Sequence, residues 1–243
     1  MLLIMLCGNI VLGQIKGQIK DKEGKVLPNT LIASREYGYG EVEVNADGNF
    51  QLTKPRSEKA IIYFIHQGYK PAIKFVDVET KELDVVLEKS ESEVWSIPKC
   101  SLDDKLNNNQ TKTYNLFSES FSNKIFFNVP QKIEIHRNQD ADYVDYYIFY
   151  EQKNEKIYMS GILGLNASFG LPSDDLVLAS KNIDIKVLKI GESEFLDVFG
   201  RTISGNFWRF VGSYGIVIAK YSGASQQQAS YFDSIISTLC FRE

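Results

Sequence analysis

The chain has 243 residues, of which 44% are hydrophobic, so it is long enough to form two modest domains with separate cores. Its 31 acidic residues outnumber its 27 basic residues, which gives a formal net charge of −4 at pH 7. That balance lacks the basic footprint typical of nucleic-acid binding, so we do not expect DNA or RNA as a partner.

The first 13 residues predict a secretory signal peptide. They are uncharged and apolar, too short to span a bilayer, and end in small residues before a polar chain. The basic start of such a signal is missing, so either the true start lies upstream or the signal is atypical. We expect cleavage after Gly13 and export to the periplasm, the outer membrane surface or the cell exterior. No transmembrane segment is expected.

Cys7 raises the question of a lipid anchor. A lipidated cysteine normally follows a small residue, and Leu6 stands at that place, so an anchor at Cys7 is not expected. After cleavage, Cys100 and Cys240 would be the thiols left in the chain. An even number of cysteines in an oxidising compartment makes one disulfide between them reasonable. The alternative is two separate buried thiols.

Residues 14–90 carry turn signals at the spacing of a small seven-stranded β-sandwich. The sequences from Asp21 to Gly24 and at Asp47-Gly48 favour tight turns with glycine at positive φ, and Pro28 presets a bend. Runs with alternating polar and apolar residues lie between these turns and predict strands. These runs are residues 41–44, 61–65, 74–78 and 83–87.

This segment resembles the carboxypeptidase regulatory-like domain, a transthyretin-like β-sandwich common in exported proteins of Bacteroidetes-type bacteria. The resemblance implies a module that accompanies a peptidase, an outer-membrane receptor or another domain, and it implies no activity for the module itself. The matching positions are Gly17, Asp21, Gly24, Pro28, Asn29, Ile32, Asp47, Gly48, Phe50, Leu52, Gly68 and Tyr69.

No residue pattern indicates catalysis or a cofactor. His66 and His136 are the two histidines, and they lack the paired spacing of the zinc site in a true carboxypeptidase. Asn45, Asp47 and Asn49 have oxygen ligands at calcium-like spacing without the later bidentate glutamate, so a hairpin turn explains them better. We therefore expect no enzyme, no metal and no cofactor.

Residues 91–123 are polar and predict a linker, although the apolar run at 94–98 could dock on a domain. Residues 124–243 predict an α+β domain, an antiparallel sheet with a C-terminal helix on one face. The helix should begin after the N-cap Ser225 and extend over residues 226–241. The expected fold class of the whole chain is mainly β. Predicted strands in this domain are residues 125–129, 133–136, 143–150, 156–159, 183–190 and 215–221.

The end of the chain loosely resembles the PsbP-like α/β fold, through Gly205-Asn206-Phe207-Trp208-Arg209 and the helix sequence from Tyr231 to Leu239. That resemblance implies a binding or assembly role and carries no catalytic residue across.

Two surfaces are candidates for contact with a partner. Trp208 and Arg209 are residue types that often dominate interfaces, and the alternative is core packing of Trp208 with Arg209 solvated. Asp142, Tyr143 and Asp145 combine acids with aromatic residues, as a sugar-binding or partner surface does, with a solvated edge strand as the alternative.

Two functions remain open from the sequence. The first is a non-catalytic exported module that recognises an envelope protein or a cell-surface glycan. The second is a hydrolase, or its accessory subunit, that acts on peptides or glycans with a site between the domains. Facing carboxylates would favour the second function. The acids considered for it are Asp140, Asp142, Asp174 and Asp175.

Overall fold

The computed structural model describes residues 13–90, 94–100, 111–115, 124–130, 135–139, 143–152, 155–164, 171–191, 193–213 and 216–242. The chain divides into two compact units, Met1–Lys89 and Ser90–Glu243. Strands make up most of the described part of each unit, which confirms the predicted mainly-β class.

Eight strands form the described part of the first unit. They are β1 (Gln14–Asp21), β2 (Leu31–Ser34), β3 (Gly38–Tyr39), β4 (Asn49–Thr53), β5 (Lys59–Ile65), β6 (Tyr69–Lys70), β7 (Ala72–Asp77) and β8 (Val85–Lys89). The strands make two four-stranded sheets, with the orders β4-β1-β8-β6 and β3-β2-β5-β7. Residues 41–44, predicted as a strand, have no strand partner. Val42 and Val44 instead pack on the core directly from the connection between β3 and β4.

The core of the first unit lies between its two sheets. Alternate residues of β4 and β8 are buried, as the period of two requires, and the Phe50 ring lies 5.5 Å from that of Phe64 on the facing sheet. The predicted turns are confirmed, because Gly24 and Gly48 have φ values of 81° and 71°. The backbone N–H of Gly48 donates to the Asn45 carbonyl. This unit is therefore a β-sandwich, as predicted.

Eleven strands and two helices form the described part of the second unit. The strands are β9 (Val94–Ser96), β10 (Thr111–Asn115), β11 (Lys124–Pro130), β12 (Ile135–Gln139), β13 (Tyr143–Gln152), β14 (Glu155–Gly164), β15 (Ser180–Ile190), β16 (Ser193–Thr202), β17 (Phe207–Ser213), β18 (Ile216–Ala224) and β19 (Cys240–Arg242). The helices are α1 (Asp174–Leu178) and α2 (Gln226–Ile236). One sheet has the order β12-β13-β14-β18-β17-β16-β15-β9, and a three-stranded sheet has the order β10-β11-β19.

Helix α2 supplies the helical layer that the sequence predicted. Ser225 is its N-cap, and a capping box joins it to Gln228: each backbone N–H donates to the side-chain oxygen of the other residue. The apolar face of α2 packs into a core with residues of β11, β17 and β18. The predicted helix over residues 226–241 is too long. Its last residues form β19 instead, because Phe241 pairs with Ile125 on β11.

Residues 91–123 were predicted to be a linker, and that prediction is wrong for the part that the structure describes. Strand β9 pairs in parallel with β15, and β10 pairs antiparallel with β11. The backbone N–H of Ile97 donates to the Lys189 carbonyl, and Ile97 is buried in the core of the second unit. Burial of the Ile97 side chain contributes to holding this segment in the second unit.

Candidate functional site

Trp208 is a core residue and does not form a partner anchor. Its side chain is 1% exposed, and its indole N–H donates to the Ser180 hydroxyl at 2.7 Å. A Cβ on Gly200, its partner on β16, would lie 2.8 Å from the indole ring. The indole ring therefore packs over Gly200. The prediction of Trp208 as a partner anchor is wrong, and the alternative of core packing is correct.

Arg209 lies on the opposite face of β17 and is held by two carboxylates. Its Nε and Nη2 donate to the two oxygens of Asp197 at 2.8 and 2.7 Å. Its Nη1 donates to Oδ1 of Asp233 on α2 at 2.9 Å, and the Tyr221 hydroxyl donates to the same oxygen. The network therefore ties strands β16, β17 and β18 to the helix, and Arg209 is not the solvated residue that the alternative assumed.

The electrostatics of this network favour a fixed ion pair over acid–base chemistry. Burial opposes the charge of Arg209, but the Asp197 and Asp233 carboxylates outweigh it and hold the arginine pKa above its ordinary value. Burial and the Asp233 carboxylate raise the pKa of Tyr221 far above its ordinary range. Arg209 thus stays charged and Tyr221 stays neutral at any physiological pH.

The second predicted surface, Asp142, Tyr143 and Asp145, lies only partly within the described residues. Asp142 lies outside the described residues, as does Asp140. Tyr143 and Asp145 belong to β13, which pairs with β12 on one side and β14 on the other. The alternative of an edge strand is therefore wrong, because β12 occupies the edge. Asp174 and Asp175 form the first turn of α1, where they complement the helix dipole.

A disulfide joins Cys100 to Cys240, with Cα atoms 5.0 Å apart. Two backbone hydrogen bonds flank it: Cys100 N–H donates to the Phe241 carbonyl, and Phe241 N–H donates to the Pro98 carbonyl. The bridge therefore attaches the segment after β9 to the C-terminal strand within the second unit. The alternative of two separate thiols does not hold in this structure.

The most exposed large hydrophobic residue in the described part of the second unit is Ile203, at 67%. It belongs to the hairpin between β16 and β17, residues 202–206, here called the apolar tip. Leu178, at the end of α1, is also exposed. The two lie close together, because the Ile203 N–H donates to the carbonyl of Ala179, the residue after Leu178.

The apolar tip is braced by its own hydrogen bonds. The Asn206 N–H donates to the Thr202 hydroxyl, and the Gly205 N–H donates to the Thr202 carbonyl. Nε of Arg201 donates to the Gly205 carbonyl at 2.9 Å. A hairpin loop with this many internal bonds presents Ile203 in a fixed orientation. Sequence reasoning missed the tip, although the Ser204-Gly205-Asn206 turn signal was visible there.

Within the described residues, no group of three or more histidine, cysteine, aspartate or glutamate side chains is arranged to hold a metal ion. Asn45, which has the spacing of a calcium ligand, acts as a turn residue. Its Oδ1 accepts hydrogen bonds from the backbone N–H groups of Asp47 and Asn49. Neither helix of the described residues is long and apolar enough to cross a membrane.

No family model matches the chain, and no curated protein matches it. Among solved structures, a likeness to the major pilin subunit of Bacillus cereus covers 85% of this chain and 69% of the pilin chain. The sequence identity is 9% and the TM-score is 0.28. A likeness at that TM-score supports no inference about this chain.

Proposed function

We propose that the protein is an exported, non-catalytic binding module of the bacterial cell envelope that recognises a partner protein through the apolar tip. The observation that carries this proposal is the exposure of Ile203 at the end of a hydrogen-bonded hairpin. A single exposed apolar residue is ordinary, but the loop that carries Ile203 is hydrogen-bonded to Ala179, next to Leu178, a second exposed apolar residue at the end of α1. A loop that is already ordered loses little conformational entropy when it binds.

The non-catalytic part of the proposal is supported by the Arg209 network. Its charged members bond to one another, and Tyr221 is held in its neutral form. This is the chemistry of a structural ion pair. Export is supported by the apolar N-terminal sequence and by the Cys100–Cys240 disulfide, since such bonds persist in oxidising compartments.

A site-specific photo-cross-linker tests the proposal in envelope extract of the organism that carries the protein. A cross-linker at position 203 should give one defined adduct, and Leu178→Ser in the same chain should abolish it. The matched control is a cross-linker at Val78, an equally apolar exposed residue of the first unit. Equal adducts from both positions would contradict recognition through the tip. Turnover of a peptide or glycan by the purified chain would contradict the non-catalytic assignment.

A further inference from the structure

A short segment joins the edges of the two sheets of the second unit. Residues 94–100, here called the strap, begin with β9, which pairs with β15 at one end of the eight-stranded sheet. The strap then reaches β19, the end strand of the three-stranded sheet, where Lys99 forms a parallel bridge with Phe241. One segment of seven residues therefore covers an edge of each sheet.

Short pairings hold the strap at both edges. Strands β9 and β19 have three residues each, and backbone hydrogen bonds attach the strap to Lys189 on β15 and to Phe241 on β19. Within residues 96–100 the buried side chain is Ile97, and the residues on either side of it are exposed. Ordering each residue costs conformational entropy, and a segment with little apolar burial offsets little of that cost. The strap therefore has the character of a segment that opens locally.

The Cys100–Cys240 disulfide is the covalent attachment of the strap to β19. It lies at the last residue of the strap, next to the hydrogen bonds between the strap and Phe241. Its two cysteines are 140 positions apart, so the chain itself does not keep them close in sequence. Because the bond holds both segments within pairing distance, the strap closes again after any local opening. Loss of the bond removes that restraint.

Cys100 is the more accessible half of the bridge. It is half-buried, whereas Cys240 is only 8% exposed. Lys99, the residue before Cys100, is exposed. A positive charge beside the bridge favours the approach of a thiolate anion from solution. A reductant can therefore reach the sulfur of Cys100 without unfolding of the second unit.

From these contacts we propose that the disulfide is a redox-controlled lock on the strap. The reductant is a dithiol, of the kind that a thiol–disulfide oxidoreductase carries. One of its thiolates attacks the sulfur of Cys100, and Cys240 leaves as a thiolate that takes up a proton. The second thiol of the reductant then displaces Cys100 from the mixed disulfide. Two electrons and two protons have passed to the cysteines, which end as thiols, and the dithiol has become a disulfide.

Reduction frees the strap and leaves the rest of the second unit folded. Strand β15 keeps its pairing with β16, and β19 keeps its pairing with β11. Each of them loses its neighbour on the side of the strap and exposes backbone N–H and C=O groups there. The exposure of two strand edges thus depends on the thiol–disulfide state of the compartment. The lock goes beyond recognition through the apolar tip and does not rest on it.

Hydrogen exchange of the full chain, with and without dithiothreitol, tests the lock. After reduction, the backbone amides of Ile97, Cys100 and Phe241 should exchange roughly tenfold faster or more. The amides of Gly205 and Asn206 in the apolar tip should keep their exchange rates. The tip adjoins the Ser180 end of β15, whereas the strap pairs with residues 187–189 at the other end.

The variant Cys100→Ser/Cys240→Ser is the matched control. Without reductant it should exchange like the reduced wild type, and dithiothreitol should change nothing further. The comparison of oxidised with reduced wild type decides the question even where the variant does not fold.

Three results would overturn the proposal. The first is a disulfide that dithiothreitol leaves intact in the folded chain, as read from the intact mass. The second is unchanged exchange of the strap after complete reduction. The third is equal acceleration throughout the second unit, which would mean that reduction unfolds the whole unit. The cross-linked adduct at position 203 should be the same in both redox states, so failure of the lock and failure of the apolar tip are separately visible.

Discussion

Arg209 on β17 donates two parallel hydrogen bonds to Asp197 on β16, with N–O distances of 2.8 and 2.7 Å, and the Asp197 side chain is only 1% exposed. Two parallel bonds between a guanidinium and a carboxylate fix orientation as well as distance. The pair therefore holds the register of the two strands at the point where helix α2 crosses the sheet.

Removal of one partner of this ion pair should strongly lower the stability of the protein. Asp197→Ala removes the carboxylate that accepts two hydrogen bonds from Arg209, whose side chain is only 16% exposed, and keeps the more exposed Asp233. We expect a loss of about 3 kcal/mol in the free energy of unfolding, measured by urea denaturation, because a mostly buried charge is then incompletely paired. The double variant Asp197→Leu/Arg209→Met should lose less unfolding free energy than the sum of the losses in the single variants Asp197→Leu and Arg209→Met. Additive losses would contradict the direct coupling.

The second carboxylate of the network should matter less. Asp233 is 44% exposed, so water can replace much of what it provides to Arg209. We expect Asp233→Ala to lower the free energy of unfolding by about 1 kcal/mol or less, and raised salt to reduce the difference from wild type. A loss as large as that of Asp197→Ala would show that the two carboxylates are equivalent.

Packing around Trp208 predicts a penalty for a single added methyl group. Gly200→Ala would place a Cβ within 2.8 Å of the indole ring. The ring is fully buried and its N–H is bonded to Ser180, so it has little freedom to move. We expect a loss of about 1–3 kcal/mol in thermal or urea unfolding. The matched variant Ser180→Ala adds no volume but removes the acceptor of the Trp208 N–H and the donor to the Leu176 carbonyl, and should cost about 1–3 kcal/mol. Wild-type stability of Gly200→Ala would contradict the close packing.

The features that the sequence predicted correctly depend on residues close together in the chain. The turns at Gly24 and Gly48 depend on residues within four positions, and the N-cap of α2 depends on Ser225 and Gln228. The features that it did not predict depend on strand partners far away in the chain. The apolar run at 94–98 indicated docking on a domain, but nothing within residues 91–123 indicates that β9 pairs with β15, which lies far along the chain.

The predicted Trp208–Arg209 anchor shows the same limit at the site. Adjacent residues of a strand point to opposite faces, so the two side chains could not act together once β17 formed. Their partners, Ser180, Asp197 and Asp233, lie 12 to 28 positions away in the chain. Sequence spacing alone gives no sign of those contacts.

The disulfide should contribute strongly to the stability of the second unit. It closes a loop with a sequence separation of 140 residues, so it removes many conformations from the unfolded chain. We expect Cys100→Ser/Cys240→Ser to lose about 2–5 kcal/mol in urea unfolding. A chain that begins at Gly13 should take up no maleimide before reduction and two equivalents after it. Two free thiols in the unreduced protein would contradict the bridge.

Acid should remove the contribution of Asp21 to the stability of the first unit. Burial pushes its pKa upward, but the Lys25 backbone N–H, the Tyr69 hydroxyl and the Lys89 ammonium outweigh burial and lower it. A carboxyl whose pKa falls on folding stabilises the native state above its unfolded pKa, near 3.8. That contribution disappears as the pH falls through the lower, folded pKa.

The melting temperatures of wild type and Asp21→Asn, followed from pH 7 to pH 2, measure this contribution. The wild type should melt higher by a constant amount down to about pH 5, and the gap should narrow below about pH 4 as the carboxylate becomes protonated. Asp84→Asn, at an exposed position of the same unit, is the matched control. A gap that widens toward acid would mean that the pKa of Asp21 rises on folding, and that burial outweighs the groups that donate to its carboxylate or pair with it.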